Sequence, residues 1–183
     1  MNDPTAGWHA EHANFARLLD LFEREVAVFH SGERPDYELL LDIVTYLRHF
    51  PDRIHHPRED VAFERLARHD PSLGPVVSRL QQEHRVIAAA GAQLEELLEV
   101  VLNDGFAERA WIEAACATFL VYYRHHIKAE EEDILPHAAS LLTAEDWQSI
   151  SAAGAAGQDP LFGENVAERY RELRRKIASE AHG

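Results

Sequence analysis

The chain of 183 residues is poor in the groups on which several classes of protein depend. Its single cysteine, Cys116, permits no disulfide within the chain and no cysteine-ligated cluster. Lysine and arginine number 18 against 32 acidic residues, and the formal charge of −14 argues against nucleic acid and anionic membrane surfaces as partners. No run of 18 apolar residues is present, so the sequence predicts no transmembrane helix.

The amino terminus also lacks the basic start and apolar stretch of a secretory signal, since the chain begins Met1-Asn2-Asp3-Pro4. Together with the lone cysteine, this predicts a cytoplasmic protein. Strand-like alternation of apolar and polar residues is scarce as well. What the chain has instead is helical periodicity and an excess of histidine, 12 residues in all.

Apolar residues recur every three or four positions, which is typical of amphipathic helices. We predict helical segments over residues 8–30, 36–68, 76–103, 107–137, 144–153 and 164–177, with a kink in the second at its prolines. The first four are long and their connectors are short. The sequence therefore predicts an all-α fold, an antiparallel up-down-up-down four-helix bundle over residues 1–142. Residues 143–183 are predicted to be a short C-terminal helical extension that packs on the bundle.

A spacing of histidine and glutamate occurs twice in the chain. Each half has a histidine on one helix and, about 42 positions later, a His-x-x-x-Glu pair on the next. The first set is His12, His55 and Glu59, and the second set is His84, His126 and Glu130. Residues at positions i and i+4 lie on one face of a helix, so each pair projects together toward the same neighbours.

His12, His84 and His126 lie on the apolar faces of their helices, and the kinks at the prolines weaken the same test for His55. This predicts that two carboxylates are buried. An isolated buried carboxylate costs several kcal/mol, and no lysine or arginine lies at matching positions to balance it. Metal cations would balance both carboxylates and bind neutral imidazoles. We therefore interpret the six residues as metal ligands. Nitrogen and oxygen donors without thiolate suit iron, manganese or zinc rather than an iron–sulfur cluster.

The segments around these residues resemble the motifs of the hemerythrin-like, or HHE cation-binding, family. The matching segments are residues 11–12, 55–63, 82–85 and 126–136. The resemblance covers roughly residues 8–140, and it implies a four-helix bundle that holds two iron ions. By the resemblance, the terminal ligands are His12, His55, His84 and His126, and the bridging ligands are Glu59 and Glu130. It also implies a small ligand such as oxygen, peroxide or nitric oxide at the metal.

The chain departs from the oxygen-carrying hemerythrins in two ways. Ala88 stands where they have a second histidine on the third helix. Their carboxylate lies five positions after the fourth-helix histidine, whereas Glu130 lies four positions after His126 and Glu131 lies five. Fewer histidines would leave one ion with more open positions, which puts simple reversible oxygen carriage in doubt.

Several neighbouring residues have two interpretations. His56 either supplies an additional ligand, where Pro57 distorts the helix, or faces solvent or lies beside the ligands without binding the metal itself. His125 is a rival to His126, although only His126 repeats the spacing of the first pair. Glu11 and Glu83 either hydrogen-bond to ligand imidazoles or are solvated. Two further residues lie close in sequence, and we place His9 on the surface and Tyr122 in the core.

Three functions are compatible with these motifs. The first is a non-haem di-iron protein that binds oxygen or iron for sensing, storage or protection against oxidative or nitrosative stress. The second is a di-iron oxidase or peroxide-reducing enzyme, which the missing histidine at Ala88 favours. The third is a helical interaction module with a vestigial site. We expect a binding protein rather than an enzyme, and assembly into a homo-oligomer is compatible with the sequence.

Overall fold

The computed structural model describes residues 4–154 and 157–180, and all of their regular structure is helical. The α-helices are α1 Ala6–His30, α2 Tyr37–Phe50, α3 His56–His69, α4 Gly74–Leu102, α5 Arg109–Asp133, α6 Leu135–Leu141, α7 Ala144–Ser151 and α8 Arg171–Glu180. The predicted all-α bundle is confirmed. The strict up-down-up-down order and the boundary after residue 142 stay predictions.

The long helices pack side by side in a square arrangement, in which each helix contacts two neighbours. α1 lies against α2 and α5, and α4 lies against the same two helices, with α3 continuing the line of α2. Gly91 brings α4 close to its neighbours, because a Cβ there would lie 2.9 Å from the Arg48 side chain and 3.0 Å from that of Phe119. Four backbones therefore surround one interior, to which each helix contributes an inward face.

The kink predicted at the prolines is a π-helical turn, Pro51–His55, set between α2 and α3. Pro51 has no amide hydrogen to donate to the Leu47 carbonyl one turn earlier. The buried hydroxyl of Tyr123 donates to that carbonyl instead, over 3.3 Å. The amide of His56 donates to the Pro51 carbonyl five residues back. This wider turn changes the direction in which the following side chains project.

Short polar motifs fix where helices begin. The Asp36 side chain accepts a hydrogen bond from the Leu39 amide at the start of α2. A capping box precedes α7, since Thr143 and Asp146 each accept a hydrogen bond from the backbone amide of the other. Such caps satisfy amides that have no partner within the helix, and each contributes about 1 kcal/mol.

The buried apolar residues form two clusters, one on each side of a polar layer. The larger cluster fills the space among α1, α2, α4 and α5, and Phe15 is its member next to the polar layer. The smaller cluster joins α3 to the start of α1, to α6 and to α7, and its Phe63 ring lies at 6.0 Å from the ring of His84. The polar layer between them is therefore shielded from solvent along the bundle axis.

The C-terminal residues pack on the outside of α1 and α2. Leu173 is buried, and the Tyr170 ring meets the Tyr46 ring edge-on at 5.7 Å between centroids. Lys176 pairs with Asp36 over 2.6 Å. This segment thickens the wall of the larger apolar cluster and lies away from the polar layer.

One prediction about α5 is wrong. Tyr122 was expected to face the core, but 46% of it is exposed, and Tyr123 is the buried tyrosine. The inward stripe of α5 runs through Cys116, Phe119 and Tyr123 to His126, one position out of register with Tyr122. Among the described residues, no helix is both long and apolar enough to cross a membrane.

Candidate metal centre

Four side chains from four helical segments form the first half of the polar layer. His12 comes from α1, His55 from the π-helical turn, Glu59 from α3 and Glu130 from α5, and all four are buried. Each offers a ligand atom, and these atoms lie within 4.8 Å of one another. The Nε2 atoms of His12 and His55 are 3.1 Å apart, so the two imidazoles point at a common position. We refer to these residues as group A.

Three buried histidines form the second half, and His56 is one of them. His56 comes from the start of α3, His84 from α4 and His126 from α5, again with ligand atoms within 4.8 Å of one another. The rings of His56 and His84 stack at 4.1 Å between centroids. The interpretation of His56 as solvent-facing is therefore wrong. We refer to these residues as group B.

The carboxylate of Glu59 lies between the two groups. One oxygen, Oε1, is 3.0 Å from His55 Nε2 and 3.4 Å from His12 Nε2. The other oxygen, Oε2, is 3.6 Å from His84 Nε2, which belongs to group B. Each oxygen of this side chain therefore faces a different group of histidines.

Glu130 repeats this arrangement from the opposite helix. Its Oε2 is 3.4 Å from His12 Nε2. Its Oε1 is 3.1 Å from His126 Nε2 and 3.4 Å from His84 Nε2. Two ligand atoms that each lie about 2.1 Å from one ion, at angles near 90–110°, are about 3.0–3.4 Å apart. Most of the distances within the two groups fall close to this interval.

Every one of the five inner histidines uses its outer ring nitrogen in the same way. In each ring Nδ1 donates to a carboxylate, at distances from 2.6 to 3.1 Å. The pairs are His12–Glu131, His55–Glu11, His56–Asp52, His84–Asp60 and His126–Glu83. A proton held on Nδ1 leaves the lone pair on Nε2, which points inward. Metal-binding histidines have this arrangement in most proteins.

Four of the inner atoms, in contrast, lack hydrogen-bond partners. Both carboxylate oxygens of Glu59, Oε2 of Glu130 and Nε2 of His126 are fully buried and make no hydrogen bond within the part of the chain that the structure describes. Leaving such atoms unsatisfied costs about 1–3 kcal/mol each, and more where they are charged. Cations in groups A and B would satisfy all four atoms at once, so the residues present fit a metal centre.

The pKa values show how strongly the centre requires positive charge. Burial alone would raise the pKa of Glu59, but His55 and His12 outweigh it and hold that pKa well below the usual range. Burial likewise lowers the pKa of His12 and His84, yet adjacent carboxylates raise these values to about 10 and about 12. Burial and the neighbouring histidines lower the pKa of His56, which keeps it neutral.

The structure distinguishes between the two interpretations of His125 and His126, and between those of Glu11 and Glu83. His126 is buried, whereas 60% of the His125 side chain is exposed, which favours His126. Glu11 and Glu83 hydrogen-bond to imidazoles, as one interpretation predicted, although their partners are His55 and His126 on other helices.

Three acidic partners of the histidines were missed in the sequence. Asp52 lies four positions before His56, so helical spacing could have identified it. Asp60 and Glu131 are each next to an inner glutamate, and no sequence signal separates them from solvated residues. His9, placed on the surface, is partly exposed and donates to Glu131 over 2.6 Å.

The chain matches a protein-family model over most of its length. The family model described as the hemerythrin HHE cation binding domain matches residues 3–138, which include every member of groups A and B. No curated protein matches the chain.

Proposed function

The chain belongs to the hemerythrin HHE cation-binding domain family, and from this membership and the geometry of groups A and B we propose that it is a non-haem di-iron protein. Group A would hold one ion and group B the other, with Glu59 and Glu130 bridging them. The proposed role is reversible binding of a small ligand such as oxygen, peroxide or nitric oxide, or of iron itself, in sensing, storage or stress protection.

The observation that supports this proposal most strongly is a difference in hydrogen bonding. The outer nitrogens of the imidazoles have carboxylate partners, whereas several atoms on the inner side of the site have none. All five outer nitrogens donate to carboxylates, while inner atoms of Glu59, Glu130 and His126 are buried without hydrogen bonds. A core without metal would have no reason to orient five imidazoles in this way. A vestigial site would be expected to lose either the outer carboxylates or the inner ones.

The donor set supports iron. It consists of imidazole nitrogens and carboxylate oxygens, since the single cysteine, Cys116, lies in the larger apolar cluster and outside both groups. Such donors also accept zinc and manganese, and two bridging carboxylates in a helical bundle are typical of di-iron and di-manganese proteins. Iron would supply the affinity for oxygen, peroxide or nitric oxide that zinc does not have.

The protein's own part in this function is to orient the donors and exclude water. The outer carboxylates fix each ring, and Phe15 and Phe63 cover the two ends of the polar layer. Acidic partners also make the imidazoles better donors, and losing such a partner lowers metal affinity about 10- to 100-fold in proteins generally.

The enzyme alternative rested on the missing histidine at Ala88. His84 lies one turn before Ala88 on α4, and His56 stacks on its ring. With His56, group B contains three imidazoles. The reason to expect additional open positions in group B is thereby weakened, so we favour ligand binding over oxidase or peroxidase chemistry.

Rapid mixing of the ferrous-loaded protein with oxygen tests this choice. We expect an optical change that reverses when oxygen is removed under vacuum, and that a Glu59→Ala variant treated in the same way does not show. Repeated consumption of peroxide with a suitable electron donor would instead support the enzyme. Absence of any optical change in iron-loaded protein would contradict the proposed ligand binding.

A further inference from the structure

A cavity opens on one side of the candidate centre, next to group B. It measures about 200 Å³ and lies between the π-helical turn, the start of α3 and α4. Its lining residues are Asp52, His56, Pro57, Asp60, His84, Arg85 and Ala88. A water molecule occupies about 30 Å³ of liquid, so a cavity of this size has room for about six. That is enough for a small hydrated cation.

The two groups differ in their access to this cavity. His56 and His84 form part of its wall, and they are 5% and 7% exposed. In group A, the outer side of His55 is closed by Glu11, and Arg58 in turn donates to both oxygens of Glu11 at 2.7 and 2.8 Å.

The mouth of the cavity is suited to cations. Asp52 and Asp60 lie in its wall, and each accepts a hydrogen bond from an imidazole of group B. Carboxylates at an opening raise the local concentration of cations. Arg85, the one arginine in the lining, donates from Nε and Nη2 to the Gln82 side chain.

We propose that this cavity is the route by which metal ions enter and leave the centre, so that the ion in group B exchanges before the ion in group A. This inference rests on the proposed metal centre. It gives Ala88 a role, because only a methyl group there keeps the cavity open beside His84. A histidine or leucine at that position would fill much of the space.

Metal release tests the route. The protein is loaded with two equivalents of zinc and mixed with an excess of a chromogenic chelator. We expect two phases of equal amplitude, and Ala88→Leu should slow the fast phase at least tenfold. Ala89→Leu, the same change at the exposed neighbouring position, should release zinc as the wild type does.

A second pair of variants avoids any effect of bulk on folding. Cys116 is buried, so a thiol reagent added to folded, loaded Ala88→Cys protein modifies the introduced cysteine. Modification should slow the fast phase, and the same treatment of Ala89→Cys should not. Unchanged release after modification at position 88, or a single phase in the wild type, would overturn the route. Failure of the wild type to bind zinc or iron would overturn the proposed function as well.

A separate observation concerns the outer face of α4 and α5, far from the histidines. Its cavity of about 520 Å³ is lined by uncharged residues only: Ala90, Gln93, Leu97, Trp111, Ala114, Ala115 and Thr118. On α5, Trp111 is 60% exposed, and Val121 and Tyr122 extend the same face. The opposite face of α5 is buried in the larger cluster. A helix that is apolar on both faces is usually buried on both.

The spacing on this face fits a helical partner. Trp111, Ala115, Thr118 and Tyr122 follow intervals of four, three and four, as in a coiled-coil seam. The exposed Trp111 lies beside a hollow that is lined by alanines. The tryptophan of one copy could fill the hollow of another, and an interface between two identical copies requires such a self-complementary surface.

The occupant that this face favours is a second copy of the chain, because one copy supplies both the exposed Trp111 and the uncharged hollow that would receive it. We infer that the chain forms a homodimer through this face, with Trp111 of each copy in the hollow of the other.

Sedimentation measurements between 1 and 200 µM test the dimer. The wild type should have twice the chain mass of 20.8 kDa, and Trp111→Glu should raise the dissociation constant at least a hundredfold. Phe106→Glu removes an aromatic side chain that is 87% exposed but outside the hollow, and it should leave the dimer intact. A monomeric wild type, a dimeric Trp111→Glu variant, or dissociation by Phe106→Glu would each overturn this interface.

Discussion

The two hairpins of the bundle carry the same motif, yet they use it differently. Each has two consecutive histidines followed by the inner glutamate, His55-His56 with Glu59 in the first and His125-His126 with Glu130 in the second. In the first hairpin both histidines are buried, whereas in the second His126 is buried and His125 lies in solvent.

The difference comes from the backbone. Consecutive residues of an α-helix are turned by roughly 100° from each other, so only one of two neighbours faces a given direction. α5 is regular through His125 and His126. The first hairpin has the π-helical turn Pro51–His55 at the corresponding place, and His55 and His56 reach different groups of the centre. A local irregularity therefore supplies the histidine that the sequence lacks at Ala88.

The largest expected effect comes from the inner glutamates, where the hairpins should behave alike. Glu59→Ala and Glu130→Ala each remove a carboxylate that faces both groups, so we expect both variants to lose both ions. A ligand present at a thousand times its dissociation constant stabilises a protein by about 4 kcal/mol. For a chain of this size that corresponds to a fall of about 8–16 °C in melting temperature.

Metal analysis and calorimetry of the two variants, with and without chelator, check this prediction. If the site is vestigial, Glu59→Ala removes a buried charge without compensation and the protein becomes more stable. If one variant keeps an ion and the other does not, the carboxylates do not bridge.

The second expected effect separates the hairpins. His56→Ala should reduce the metal content after gel filtration from two ions per chain to one, because group B loses one of its three imidazoles on the side that opens to the cavity. His125→Ala, the matched change in the second hairpin, should leave both ions bound. Elemental analysis after gel filtration measures both. Equal losses in the two variants, or no loss in His56→Ala, would show that the π-helical turn does not supply a ligand.

A smaller effect is expected from the outer carboxylates. Glu11→Gln and Glu83→Gln keep a hydrogen-bond acceptor for His55 and His126 but remove its charge. We expect each to weaken metal binding about 10- to 100-fold. Glu11→Gln also leaves Arg58 without its carboxylate partner, so its effect should be the larger of the two. Competition with a chelator of known affinity gives both values, and equal affinities to the wild type would contradict the role of these partners.

Most residues of the candidate centre could be predicted from the sequence. The repeated spacing identified six of the seven inner residues, because i and i+4 positions on apolar stripes project together regardless of tertiary detail. His56 stayed undecided, since Pro51 and Pro57 predict a disturbance of the helix but not the direction that a side chain takes after it. Asp60 and Glu131 could not be predicted, because their partners are on other helices.

The smallest effect concerns pH, and its direction should differ between metal-free and loaded protein. Without metal, the raised pKa of His12, about 10, contributes stability that is complete below about 6.5 and is lost as the pH rises toward 10. The lowered pKa of Glu130, about 2, contributes stability that is complete above about 4.5 and is lost as the pH falls toward 2.

Metal-free protein should therefore become slightly more stable from pH 8.5 to 6. Loaded protein should become less stable over the same range, since protons compete with metal for the imidazoles. Melting temperatures in the presence and absence of chelator check this, with differences of a few degrees. Parallel changes in the two forms would contradict the assignment of the histidines as ligands.

The most direct test of the centre is an anaerobic titration of metal-free protein with ferrous iron, followed by elemental analysis of the desalted product. We predict two irons per chain in the wild type, one in His56→Ala, and none in the Glu59→Ala, Glu130→Ala double variant. Fewer than one iron per chain in the wild type, or iron retained by the double variant, would contradict this prediction.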